Sequence, residues 1–256
     1  MVEKHLNVDL SGKTALVTGA SRGIGKAISL ALARAGANVV VAARSEEDSS
    51  SLPGTIYKTT KEIEDFGGRA LPVRCDVTVA DEVQNMVEKS VSAYGDIDIL
   101  VNNAGVLYAA SFLEADISNF NNVWQVNVLG PFLCTRAVLP LMISRKSGSI
   151  INISSGLAES TDSRINVYSA SKAALNRMML KLATEVAEHN IAVNLLYPGV
   201  TLSEGLIAVR AARSDTLDDL PPPSVVGPSA VWLAAQDATS YTGKICHVNT
   251  FGTDWP

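Results

Sequence analysis

A chain of 256 residues with 47% hydrophobic content can bury a full core, and it reads as one large α/β domain rather than two small ones. The net charge is −5 and the Lys and Arg residues are scattered, so no basic stripe recommends a nucleic acid or an anionic membrane as partner. The three cysteines, Cys75, Cys134 and Cys246, are odd in number and far apart, which fits neither a disulfide framework nor a zinc site and predicts a reducing compartment.

Met1 to Leu10 carries Glu3, Lys4, His5 and Asp9 and no apolar centre, unlike a signal peptide. No uninterrupted apolar run reaches the ~18 residues of a membrane span, so a soluble, cytoplasmic protein is expected. Thr14 to Val17 begins a series of short β-branched runs that read as buried parallel strands, continued by Val39 to Val41, Ile97 to Val101, Ile150 to Ile153 and Ile191 to Leu196. Between them, Ile24 to Ala35, Val79 to Tyr94, Phe120 to Ser144 and Ala170 to His189 have helical period, the last with Leu175, Met178, Leu182 and Val186 on one face. This alternation predicts a doubly wound parallel sheet. Two stretches break the rhythm. Ser45 to Gly54 reads as a solvated loop inserted after the second strand, and Thr201 to Pro228 as irregular chain of the length that usually serves function.

The turn Thr18, Gly19, Ala20, Ser21, Arg22, Gly23, Ile24, Gly25 follows a predicted strand and opens a predicted helix, where backbone amides accept a pyrophosphate. Glycines alone would also suit a turn that binds nothing. At the end of the second strand, where a carboxylate would hold a ribose 2′-hydroxyl, the chain reads Ala42, Ala43, Arg44. Arg44 and Arg22 can both approach a 2′-phosphate, which favours NADP(H) and leaves NAD(H) as the alternative; either arginine can also be a plain surface residue.

Tyr168 and Lys172 are four residues apart, so on a helix the phenol and the ammonium share a face. A free phenol, with a pKa near ~10, is a poor proton shuttle at neutral pH. A neighbouring cation favours the phenolate, and Lys172 is expected to be that cation, although the same spacing occurs on ordinary solvated helices. His5, His189 and His247 show no ligand spacing.

Together these residues resemble the compact, single-domain branch of the short-chain dehydrogenase/reductase family, from Leu10 to Val248. The resemblance extends to Asp76 and Val77, similar to the family's adenine-contacting pair, and to Asn102, Asn103, Ala104, Gly105, which in the family brace the sheet and line the cofactor ribose. Asn127 resembles the family asparagine that holds a proton-relay water through its backbone. Ser155 stands thirteen residues before Tyr168, and Pro198, Gly199 and Val200 follow the sixth strand where the family binds nicotinamide. Ser203 occupies the place of a common threonine, and its hydroxyl can still bond a carboxamide. Leu52 to Tyr57 leading to Gly67, Gly68, Arg69, Ala70 resembles hydroxysteroid dehydrogenase-like and citronellol-type members.

The resemblance implies a seven-stranded Rossmann fold with helices on both faces and an NADP(H)-dependent oxidoreductase acting on a ketone, aldehyde or alcohol. Tyr168 would be the general acid and base, Ser155 would bind the carbonyl oxygen, Lys172 would lower the tyrosine pKa, and Asn127 would continue the relay. Ser154 competes with Ser155, because adjacent strand residues face opposite ways. Two other readings use the same residues. A nucleotide sensor that does not turn over is one; a sugar-nucleotide epimerase is the other, although only 57 residues follow Gly199. Family members pair through two long helices, so a homotetramer or homodimer is expected, with Leu139, Leu141, Met142, Met179 and Leu180 as surplus apolar positions. Phe251 and Trp255 are expected to pin the C-terminal tail, across a subunit interface or on its own subunit.

Overall fold

The structure, a computed structural model, describes residues 8–48, 50, 52–161, 165–203, 206 and 220–256. Seven parallel strands form one sheet in the order β3-β2-β1-β4-β5-β6-β7. They are β1 (Thr14–Thr18), β2 (Asn38–Ala43), β3 (Arg69–Arg74), β4 (Ile99–Asn102), β5 (Gly148–Ile153), β6 (Ile191–Tyr197) and β7 (Ile245–His247). The α-helices of this layout are α1 (Gly23–Arg34), α2 (Ile56–Asp65), α3 (Ala80–Tyr94), α4 (Ile117–Trp124), α5 (Gly130–Arg145), α6 (Asn166–Glu185) and α7 (Gly227–Ala234).

The period-2 alternation of strand side chains splits the core into two layers. Ala15, Val17, Val39, Val41, Ile151 and Ile153 face α1, α2 and α7. Leu16, Val40, Leu100, Ile150, Val193 and Leu195 face α3, α5 and α6. Both sheet faces are covered, which is why the strands read as nearly continuous apolar runs, broken only by residues such as Asn152 and Asn194.

Helix α6 begins four residues earlier than the periodicity suggested, so Tyr168 lies in its first turn. The long predicted helix is interrupted between α4 and α5 by a π turn at Gln125–Leu129. That 29-residue helical stretch has the length and apolarity of a membrane span, but Val126, Cys134, Val138 and Met142 from it are buried in the layer beneath the sheet. The expected irregular stretch ends early. Pro223–Val226 is a 3-10 turn, and Pro228 sits in the first turn of α7, where a missing N–H costs nothing. Residues 204–205 and 207–219 of that stretch lie outside the described residues.

One further expectation is corrected. Met142 and Met179 are not surplus: both are buried in their own chain, Met142 against Gly148 and Met179 beside Leu175, Ala183 and Val186. Leu139, Leu141 and Leu180 remain half-buried. Of the two places expected for the tail aromatics, the contacts shown are on their own chain. Trp255 meets the rings of Phe251, Trp232 and Tyr241, and its Nε1 donates to His247 O at 2.9 Å.

Candidate active site

The strand order reverses between β1 and β4, so the loops leaving their carboxyl ends share one crevice. Side chains of the β1 and β4 ends stitch the two loops together. Thr18 Oγ1 donates to Val101 O and accepts from the amides of Asn103 and Ala104, while Asn103 Nδ2 donates to the carbonyls of Thr18 and Gly19 at 2.8 and 3.1 Å. Gly19 has φ +64°, and a Cβ there would stand 2.8 Å from Ala104 Cα, so the close approach requires glycine.

Helix α1 starts from this turn with no acidic residue in its first turn and no side-chain cap from Arg22. Its leading amides are therefore a donor set without a local anion, the chemistry a pyrophosphate needs. Further along the crevice, a Cβ on Gly105 would stand 3.4 Å from Asn127 Oδ1 and 3.6 Å from Lys172 Nζ. The missing side chain keeps the space before those two groups clear. These features fit a dinucleotide cofactor.

Asp76 and Arg44 meet at the far end of the crevice, where Arg44 Nη1 lies 3.4 Å from Asp76 Oδ2 and the arginine is largely exposed. Arg22 is differently occupied. Its Nε donates to Pro53 O, and its Nη2 to Ser45 Oγ and Gly54 O at 3.1 and 2.7 Å, so the guanidinium clasps the loop inserted after β2. Ser21 is buried beneath it, and Thr59 Oγ1 donates to Ser21 O. Val77 packs its side chain under Gly130 in the core, leaving its backbone for any adenine contact.

Around Tyr168 the elements converge. Its phenol hydrogen-bonds Ser155. Ser155 caps a 3-10 turn, Gly156–Ala158, and its Oγ accepts from Leu157 N at 3.2 Å. Ser154 turns the other way, into the core, donating to Asn176 Oδ1 at 2.5 Å. Lys172 Nζ donates to Ile153 O at 2.8 Å and lies 5.7 Å from the centroid of the Tyr168 ring. Asn127 sits in the π turn, fully buried; its Oδ1 accepts from Val106 N, and its Nδ2 donates to Val106 O and Ser171 Oγ. Pro131, four residues on, has no N–H, so the Asn127 carbonyl lacks the donor that a regular α-helix would give it.

Electrostatically the pair differs from expectation. Burial pushes the Tyr168 phenol up to about 12, against a smaller downward pull from the Ser155 hydrogen bond. Burial also lowers Lys172 to about 8. The expected lowering of the tyrosine by the lysine is not what this geometry produces. The ammonium points at a backbone carbonyl, and desolvation disfavours both charged forms.

Past β6, Pro198 leads to Gly199, with φ +71°, and to a half-exposed Val200. Ser203 Oγ accepts from Leu206 N at 3.3 Å. In the segments after Gly105 and before Tyr168, Tyr108 OH donates to Asp116, and Asn166 Nδ2 to Ala110 O. Residues 162–164, and most of the stretch from Thr201 to Leu220, fall outside the described residues.

Several groups at this site escaped sequence reasoning. Ser171 Oγ donates to Tyr168 O at 2.7 Å and links it to Asn127. Asn176, Tyr197 and Glu159 form a second hydrogen-bonded group behind the serines. The available signal was an asparagine at the buried fourth position after Lys172, among Leu175, Met178 and Met179.

The model of the short chain dehydrogenase family matches residues 13–214. The 3-oxoacyl-[acyl-carrier-protein] reductase of Thermotoga maritima is 35% identical over 248 residues, covering 94% of this chain and 97% of that one. Hydroxysteroid dehydrogenase-like protein 2 of Xenopus laevis is 40% identical over 191 residues, 74% of this chain and 46% of that protein. Among solved structures, a variant of actinorhodin polyketide ketoreductase with NADPH superposes with a TM-score of 0.85 at 30% identity, covering 94% of this chain and 97% of that one.

Proposed function

This chain belongs to the short-chain dehydrogenase/reductase family of oxidoreductases, and from that premise we propose that it interconverts a ketone or aldehyde and its alcohol, with NADP(H) preferred. The observation that carries the reading is the convergence of Tyr168, Lys172 and Ser155 at the carboxyl ends of β4 and β5, on a crevice whose glycine turn suits a pyrophosphate. A bound NADPH would supply hydride to the carbonyl carbon.

In reduction, Tyr168 donates its phenolic proton to the carbonyl oxygen, and Ser155 Oγ holds that oxygen by a hydrogen bond. A phenol held above the neutral range stays protonated, the form this direction needs. Lys172 anchors the nicotinamide ribose side of the crevice, and the backbone carbonyl of Asn127 holds a water through which Tyr168 is reprotonated. Oxidation reverses each transfer. Arg44, exposed just past β2 beside Asp76, supports the NADP(H) reading, since its guanidinium can meet a 2′-phosphate.

The same reading includes a homo-oligomer. Phe112, Leu113, Ile117, Phe120 and Phe132 are exposed on and beside α4 and α5, apolar side chains of the kind an interface covers. Light scattering should give a multiple of 27.0 kDa, and a monomer mass at micromolar concentration would reject this part.

The reaction is tested by following NADPH absorbance against a panel of ketones and aldehydes that includes ethyl acetoacetate. Turnover above the cofactor blank supports it. Tight NADPH binding without turnover on any member would favour the redox-inactive sensor.

A further inference from the structure

We propose that Asn176 and Tyr197 are positioning residues that hold the Ser155 hydroxyl against Tyr168, by fixing the chain immediately before and after Ser155. The inference rests on the dehydrogenase reading and concerns residues that none of its roles above uses.

Helix α6 presents Tyr168, Lys172 and Asn176 one turn apart, on a single face. Each engages one of three consecutive residues at the end of β5. Tyr168 meets Ser155, Lys172 Nζ meets Ile153 O, and Asn176 Oδ1 accepts from Ser154 Oγ. The strand itself ends at Ile153, so Ser155 has no ladder hydrogen bonds to fix it. Its own bonds come only from the turn it caps, Leu157 N to Oγ and Ala158 N to its carbonyl, so its placement against Tyr168 also depends on what holds its neighbours.

Upstream, the Ser154 hydroxyl is bonded to Asn176 at 2.5 Å, and both residues are buried. Downstream, the Tyr197 hydroxyl at the end of β6 donates to Glu159 Oε1 at 3.2 Å. The Tyr197 ring also lies under the turn that Ser155 caps, where a Cβ on Gly156 would stand 3.9 Å from Cδ2. Asn176 Nδ2 closes the circuit by donating to Tyr197 OH at 2.5 Å. The Tyr197 proton is committed to Glu159, so its oxygen accepts from Asn176, and the Asn176 oxygen is left to face Ser154. Every polar atom of the amide therefore has a task, and the chain from Ser154 to Glu159 is clamped at both ends with Ser155 between.

The test is a double-mutant cycle on kcat, using NADPH and the fastest-turning carbonyl of the panel. Asn176→Ala and Tyr197→Phe are each combined with Ser155→Ala, and NADPH Kd is measured by fluorescence quenching. Tyr197→Phe keeps the ring and guards against a variant that fails to fold. The expected result is a kcat loss of about tenfold for each single variant, with KM and NADPH Kd within about twofold, and a loss of less than about twofold in the Ser155→Ala background. Equal losses in both backgrounds would mean a merely structural role and overturn the proposal. So would full kcat in both single variants, while leaving the dehydrogenase reading intact. A wild type that turns over no carbonyl overturns that reading and this inference with it.

Discussion

Lys172 Nζ donates to the carbonyl oxygen of Ile153 at 2.8 Å, and the side chain is almost wholly shielded from water. Burial lowers the lysine from 10.5 to about 8, so between those values the unfolded chain binds a proton that the folded chain has released. Stability from this group therefore rises with pH across that window and is lowest below it. The net cost of keeping the charge inside is about 3 kcal/mol below the window. Lys172→Met is expected to melt higher than wild type near neutral pH and to lose that advantage as pH approaches 10.5, while abolishing turnover. Thermal denaturation at several pH values decides it, and a variant less stable at every pH would contradict the burial argument.

Tyr168→Phe removes a proton donor and little binding surface. Turnover should fall by ~10² or more, with NADPH affinity within a few fold. The measurement is steady-state kinetics beside a cofactor titration; full activity in this variant would remove the tyrosine from the chemistry.

Arg44→Asp would place a second carboxylate beside Asp76, since the arginine lies 3.4 Å from it now. Two adjacent carboxylates repel a 2′-phosphate and can accept from a 2′-hydroxyl. The ratio of kcat/KM for NADPH over NADH should drop by about tenfold or more, the equivalent of one lost charge contact. Arg22→Ala serves as the contrast. Its guanidinium holds Pro53, Gly54 and Ser45, so its first effect should be faster proteolysis within the 45–54 loop. An unchanged cofactor ratio in Arg44→Asp would refute the assignment.

Trp255→Ala should cost about 3 kcal/mol, the low end for a large buried aromatic, because a terminal segment can partly collapse into the space. Phe251, Trp232 and Tyr241 would lose their shared partner, and His247 O its donor. Urea unfolding reads the loss and light scattering checks assembly. A change in mass without a change in stability would restore the tail to a subunit interface.

Local patterns carried far in this chain. The alternation of β-branched runs with helical period was legible because burial on both sheet faces leaves few polar positions inside a strand, chiefly Asn152 and Asn194, whose side chains are hydrogen-bonded. The glycine turn was legible because Gly19 needs both a positive φ and a close neighbour, and the spacing of Tyr168 and Lys172 because helix geometry is set within one turn.

Tertiary packing decided what depends on partners distant in the chain. Ser154 and Ser155 are equivalent as letters, and only Asn176, 22 residues after Ser154, turns one hydroxyl inward. Arg22 and Arg44 are likewise alike in sequence. The inserted loop captures the first, and the second stays at the rim beside Asp76. Met142 and Met179 have the apolar character of an interface, but the sheet and its neighbouring helix bury them. The ionisation of Tyr168 follows the same rule: the spacing predicted a charge beside the phenol, and the protein around both groups excluded the water that either charge would need.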